Sequence, residues 1–327
     1  MSAPYGAREY QYYFSEYKPL ATSNQQLPMT TAIAIRALTK RYGRLVAVRD
    51  LDLAVETGEI FGFLGVNGAG KSTTIRILLD FVRPTSGRAS IFGHDCQSEG
   101  LAARAAVGYL PGELGFYEDM TGEAVLAVTA QLSGAGAVRE AYRRELAERL
   151  ELSAPDLGRR IRDYSTGMKR KLGIVQAFQS DPPMLVLDEP TEGLDPLMQE
   201  AFYALLADVR GRGRTVFMSS HVLSEVERVC DRIAVIRQGS LVLLSPVDEL
   251  RRIAARRVRV IFDAAAPMPP TLPEGCELVN AEPSAWQLRV RGPLGPLLAR
   301  LEGLALRDLE VHEVPLEEVL RPYYRED

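Results

Sequence analysis

Apolar positions along the chain switch between two periods from Ala32 onward. AIAIRAL and LVAVRDLDLAV (45–55) read as strands, and IFGFLG (60–65) is an apolar run closed by glycines. KSTTIRILLDFV, next in line, fits a helix. RASIFG (88–93) and AAVGYL (105–110) read as further short strands, and residues 118–163, rich in Ala, Leu, Glu and Arg, predict several helices. MLVLDEP (184–190) predicts a buried strand ending in acids. A helix over 196–210, strand TVFMSS (215–220), a helix over 222–230 and strand RIAVIRQG (232–239) follow. Strands alternating with helices imply an α/β fold with a largely parallel sheet covered on both faces.

The pattern changes near 246–257. VRVIFDAAAPMPPTLPEG carries four prolines; ELVNAE, WQLRVRG, a Leu-rich helix at 293–303, LRDLEVHEV and a helix from about 315 come after it. This β-β-β-α-β-α string reads as a small separate α+β domain over 256–327. Residues 1–28 are polar and tyrosine-rich without either period, and read as an extension.

Composition narrows the function classes. Hydrophobic residues make up 46% and charged residues 25% of the 327, which suits a folded protein of roughly two domains. A net charge of −4 argues against nucleic-acid binding through bulk positive charge. No apolar run approaches the ~18 residues of a membrane span. Cys96, Cys230 and Cys276 are scattered, with no CxxC pair, so neither a disulfide framework nor a zinc site is expected.

Residues 65–73, GVNGAGKST, fit G-x-x-x-x-G-K-[ST] with Gly65, Gly70, Lys71 and Ser72, between an apolar strand and a helix. Glycines let backbone N–H groups face phosphate oxygens, and the helix N-terminus adds positive potential. Lys71 is placed to reach the β- and γ-phosphates and Ser72 to ligate Mg²⁺. A phosphate loop needs a further magnesium acid on a neighbouring strand, and Asp188 ends one, where ligands bind in open α/β sheets. Glu189, next to it, is placed to polarise a water.

Between these motifs lies YSTGMKRKLGI (164–174), and here the chain resembles the nucleotide-binding subunit of an ATP-binding cassette (ABC) transporter. The family signature, usually LSGGQ, stands here as Tyr164, Ser165, Thr166, Gly167 and Met168. TEGLDP (191–196) is similar to the D-loop and carries Asp195; SSH (219–221) matches the switch histidine, His221; RYG (41–43) offers Tyr42 to stack on adenine. The resemblance implies a P-loop cassette over 32–245, with a mixed-sheet core and a helical subdomain at about 113–170. It implies ATP contacts from Tyr42, Gly65, Asn67, Gly68, Gly70, Lys71, Ser72 and Thr73, metal ligation by Ser72 and Asp188, and catalysis by Glu189, His221 and Lys71. It also implies a homodimer in which Ser165, Thr166, Gly167 and Met168 act on the partner's nucleotide.

Individual residues keep plainer readings beside these. His221 is otherwise a surface-loop histidine and Tyr42 a strand-end aromatic. Lys169, Arg170 and Lys171 are either a solvated helix face or dimer-interface charges. The Q-loop position, where the family carries Gln, is occupied by Gly112, followed by Glu113. Either water or Glu113 then completes the metal shell, or coupling differs. The YLP segment, the signature and EVPLEEVLRPYY (313–324) resemble type-2 exporter ATPases. They imply a Mg²⁺-dependent ATPase at the cytoplasmic face of the membrane that drives a separate permease exporting a drug, lipid, polysaccharide or ion, with residues 112–122 the candidate docking segment and Phe116 and Tyr117 either exposed there or buried against the helical subdomain. The alternatives are a soluble ABC ATPase of translation or repair, and a nucleotide-regulated drug-binding resistance factor.

Overall fold

The computed structural model describes residues 31–132, 140–265, 267 and 271–324; the extension at 1–28 lies outside them. The chain divides into two compact units, one ending at Leu244 and the other starting at Ser245. Among the described residues no helix is long and apolar enough to cross a membrane.

The first unit carries β1 (Thr31–Tyr42), β2 (Leu45–Glu56), β3 (Ile60–Leu64), β4 (Ser86–Ile91), β5 (His94–Asp95), β6 (Val107–Leu110), β7 (Met184–Asp188), β8 (Thr215–Ser220) and β9 (Arg232–Arg237). β10 (Ser240–Pro246) runs across the boundary. Two sheets form, ordered β2-β1-β4-β5 and β10-β9-β3-β8-β7-β6. β9, β3, β8, β7 and β6 pair parallel, as the alternation of strands and helices predicts, while β1, β2 and β4 pair antiparallel in the other sheet, so the core is mixed as the family resemblance implies. Alternating burial separates them, since β2 buries Leu51, Leu53 and Val55 and turns the residues between outward. β3, β7 and β8 are buried at every position, the mark of parallel strands covered on both faces. Phe61 stacks on Phe217 across β3 and β8, with ring centroids 5.8 Å apart.

Close packing fixes two glycines. A Cβ on Gly108 of β6 would stand 2.1 Å from the Ala177 carbonyl oxygen. A Cβ on Gly62 would stand 2.6 Å from Val226 Cγ1 on helix Leu223–Val229. These contacts seat helices directly on the sheet.

The strand register places the chemistry. β8 lies between β3 and β7, with Leu64 opposite Ser220 and Asp188 opposite Ser219. The loop after β3 and the acids ending β7 therefore share the C-terminal end of the parallel strands, about two strand spacings, ~10 Å, apart. Between β6 and β7 come helices Gly122–Leu132, Glu140–Arg149, Ala154–Leu157 and Thr166–Phe178.

The second unit is a four-stranded sheet, β12 (Cys276–Glu282), β13 (Ala285–Val290), β11 (Arg256–Phe262) and β14 (Leu306–Glu313), in that order. Trp286 is fully buried against Phe262 at 4.6 Å in its core. Leu316, Val319 and Leu320 of the last helix are buried. Its Glu318 pairs with Arg257 at 2.6 Å, so this helix covers its own unit.

Candidate active site

Residues Gly65–Gly70 turn the chain from β3 into helix Lys71–Leu78. Gly70 caps that helix at φ +112°, where a Cβ would meet the Ala47 carbonyl oxygen at 2.4 Å. Only glycine fits there. The helix has no acidic residue in its first turn, which leaves its N-terminus positive. Lys71 is only 5% exposed, and its Nζ donates to the Gly65 carbonyl oxygen at 2.6 Å. The loop opens on a cavity of about 620 Å³ lined by Asn67, Gly68, Ser72 and Thr73, with Tyr42 and Glu189 also on its wall. Tyr42, at the end of β1, is 45% exposed and carries the Lys40 ammonium 4.8 Å from its ring centroid.

The acids at the end of β7 take different settings. Asp188 is buried and accepts a short hydrogen bond from Ser219 Oγ. Glu189 leaves the strand at φ +48°, a left-handed conformation that costs a non-glycine residue about 1 kcal/mol. Its backbone N–H donates to Ser219 Oγ at 3.1 Å. The turn carries the carboxylate to Lys71 Nζ at 3.1 Å and to His221 Nδ1 at 2.8 Å. Lys71, Glu189 and His221 are thus brought into one chain of contacts.

No group of three His, Cys, Asp or Glu side chains among the described residues is arranged to hold a metal alone. Ser72 and the buried carboxylate of Asp188 instead suit a magnesium ion, because Mg²⁺ is commonly bound by one or two carboxylates plus substrate phosphates. The glycine cradle, the buried ammonium and the positive helix end fit a nucleotide triphosphate.

The signature residues stand apart from this cavity. Ser165 caps helix Thr166–Phe178, its Oγ accepting from the Met168 N–H at 3.2 Å. Thr166, Gly167 and Met168 form the first turn of that helix, and none of the four lines the cavity that holds Lys71 and Ser72. Gly167 lies beside Gly193, where a Cβ would stand 3.3 Å from the Gly193 carbonyl oxygen. Asp195 caps helix Pro196–Gly211, accepting from the Met198 N–H at 3.0 Å. Tyr164, in the place of the family's Leu, is buried and donates its hydroxyl to the Asp156 carbonyl oxygen at 2.7 Å.

One sequence expectation needs correcting. Lys169 and Lys171 pair with Glu118 and Glu151, but Arg170 between them belongs to no solvated face: it is 4% exposed. Gly112 does lie beside Asp188, a Cβ there standing 3.5 Å from Oδ2, while Glu113 is exposed. Sequence reasoning also passed over Glu225. This buried carboxylate accepts from Thr191 Oγ1 at 2.6 Å and Ser220 Oγ at 3.0 Å, tying the turn after Glu189 to the strand end before His221. The one local signal was a glutamate four residues past His221, which lacks meaning until β7 and β8 are adjacent.

The chain is similar in sequence and fold to known proteins. Residues 48–192 match the family model described as ABC transporter. The bacitracin transport ATP-binding protein BcrA of Bacillus licheniformis is 37% identical over 227 residues, 68% of this chain and 72% of that one. The Nod factor export ATP-binding protein I of Cupriavidus metallidurans is 34% identical over 280 residues, 84% of this chain and 91% of that one. A solved structure of an ATP-binding subunit of an ABC transporter superposes with a TM-score of 0.64 at 31% identity, over 68% of this chain and 92% of that one. With the phosphate loop, the paired strand-end acids and the separate signature helix in place, the chain belongs to the ABC transporter family, as one of its ATPase subunits.

Proposed function

We propose that two copies of this chain close on two ATP molecules and drive a membrane permease that exports its cargo, with the chain at the cytoplasmic face. The observation that carries the reading is the Lys71–Glu189–His221 chain of contacts at the mouth of the glycine cradle. Tyr42 stacks on adenine, with Lys40 covering its far face. Gly65, Asn67, Gly68, Gly70 and Thr73 supply loop contacts to the phosphates, and Lys71 leaves Glu189 to meet the β- and γ-phosphates. Ser72 and Asp188 would hold a magnesium ion, which when bound would offset the negative charge of the phosphates. Glu189, freed from Lys71, takes a proton from the attacking water as the γ-phosphoryl group leaves ADP, and that proton then passes to solvent. His221 holds the other carboxylate oxygen in line.

Ser165, Thr166, Gly167 and Met168 lie outside the cavity of their own chain, which suits a role on the partner's γ-phosphate. Asp195 would then sit at the same junction. Transport is supported by the relative named for bacitracin transport, and its outward direction by the relative named for Nod factor export. Tyr117, 81% exposed in the segment after Gly112, is the residue offered to the permease.

Mixing tests the shared site. Lys71→Ala and Ser165→Arg chains should each be inactive alone. Together they should regain ATP turnover, because a mixed dimer holds one intact P-loop facing one intact signature. A mixture as inactive as its components would refute the shared site.

A further inference from the structure

Arg170 reads in sequence as the middle of a KRK charge run, yet its guanidinium is buried and makes three hydrogen bonds to main-chain carbonyl oxygens. Nε donates to Glu192 at 3.0 Å, Nη1 to Pro111 at 3.0 Å and Nη2 to Gly112 at 2.8 Å. Its nearest carboxylate, that of Glu192, is 3.7 Å away and mostly exposed. A buried cation is expensive unless its donors are used, so the fork holds these carbonyls firmly.

The three carbonyls lie on two separate turns. Pro111 and Gly112 follow β6 and pass beside Asp188, where a Cβ on Gly112 would stand 3.5 Å from Oδ2. Glu192 is in the turn that follows Glu189 and leads to Gly193, against which the first turn of the signature helix rests. Gly112 has no side chain with which to reach the site, so its place beside Asp188 is set through its backbone, and Arg170 holds that backbone.

We propose that Arg170 is a positioning residue that ties the signature helix to both the Pro111–Gly112 turn and the Glu189–Glu192 turn. The signature, facing the partner's nucleotide, and this chain's own acids then shift together. The tie stands on the contacts above; its effect on turnover rests on the ATPase reading of the site. The planar fork matters: a lysine ammonium is a point donor and cannot span both turns in one geometry.

The test uses the full chain as wild type, Arg170→Met, Arg170→Lys and, as a neighbouring control, Lys171→Met. Amide hydrogen exchange is followed without nucleotide, then ATP binding and turnover. In Arg170→Met, exchange should quicken about tenfold or more in both 112–115 and 191–194, as expected when charge-assisted bonds that hold a turn are lost. Turnover should fall about tenfold or more with ATP affinity kept within about threefold, the pattern of lost transition-state positioning rather than lost binding. Arg170→Lys should fall between, and Lys171→Met should match wild type.

Unchanged exchange in either turn would overturn the proposal, as would wild-type turnover despite two loosened turns. Equal losses of ATP affinity and turnover would reduce Arg170 to a fold rivet and overturn it too. If Arg170→Met does not fold, Arg170→Lys decides: loosening of both turns supports the tie, and wild-type exchange overturns it. A wild type without turnover would refute the ATPase reading, and the exchange data would still decide the tie.

Discussion

Replacing Glu189 by Gln removes one negative charge and keeps the side chain's shape. In the nucleotide-free site this carboxylate is shared between Lys71 Nζ at 3.1 Å and His221 Nδ1 at 2.8 Å. The two effects of the change run in opposite directions. Loss of the proton acceptor should cut turnover by about 10²–10⁴-fold, the usual contribution of a general base. Loss of the ion pair should free Lys71 for phosphate. Both side chains are largely buried, so desolvation offsets much of their attraction and leaves a net contribution of about 1 kcal/mol. Not having to break it tightens ATP binding by up to about fivefold. The variant should therefore bind ATP at least as well as wild type while hydrolysing it far more slowly. Equilibrium binding of a fluorescent ATP analogue and single-turnover hydrolysis read the two quantities separately. Turnover within about tenfold of wild type would remove Glu189 from the role of base. ATP bound distinctly more weakly would show that the Lys71 contact does not compete with phosphate.

Three other outcomes follow from contacts elsewhere. Gly108→Ala puts a Cβ 2.1 Å from the Ala177 carbonyl oxygen, and the strand or helix must move; calorimetry should show a loss of about 3 kcal/mol, or roughly 5–10 °C. Lys40→Ala strips the cation from Tyr42, where Nζ lies 4.8 Å from the ring centroid; KM for ATP should rise about three- to fivefold with kcat unchanged, as befits a weakened cation–π contact. Burial pushes the Asp181 carboxyl up, but Arg214 at 2.6 Å and Arg212 at 3.3 Å outweigh it and hold it below the usual carboxylate range. A depressed folded value means that stability is present above the unfolded pKa and lost as pH falls through the folded one. Asp181→Asn should thus cost about 0.5–1 kcal/mol at neutral pH, with the gap from wild type closing in acid.

Much of the first unit is legible in the sequence because its signals are local. β3, β7 and β8 are short apolar runs, and the phosphate loop announces itself by a strand, glycines and a lysine within nine residues. What escapes is set by partners distant in sequence. The separate antiparallel sheet depends on β1 meeting β4, some fifty residues on. Helix Gly100–Ala105 gave no periodic signal in its six residues. Arg170 shows the limit most clearly, since its carbonyl partners lie 58 and 59 residues before it and 22 after it. Nothing in KRK separates a solvated cation from a buried one. Glu225 is hidden for the same reason, its two donors being brought together by the pairing of β7 with β8.

Phosphate release from ATP by the purified full chain, with magnesium and with a chelator, tests the central claim most directly when the mass of the chain is followed in the same solutions. The account predicts turnover that requires Mg²⁺, and a dimer that accumulates with ATP in Glu189→Gln and dissolves without nucleotide. A chain that stays monomeric with ATP bound, or that fails to bind ATP despite an intact Lys71 loop, would contradict it.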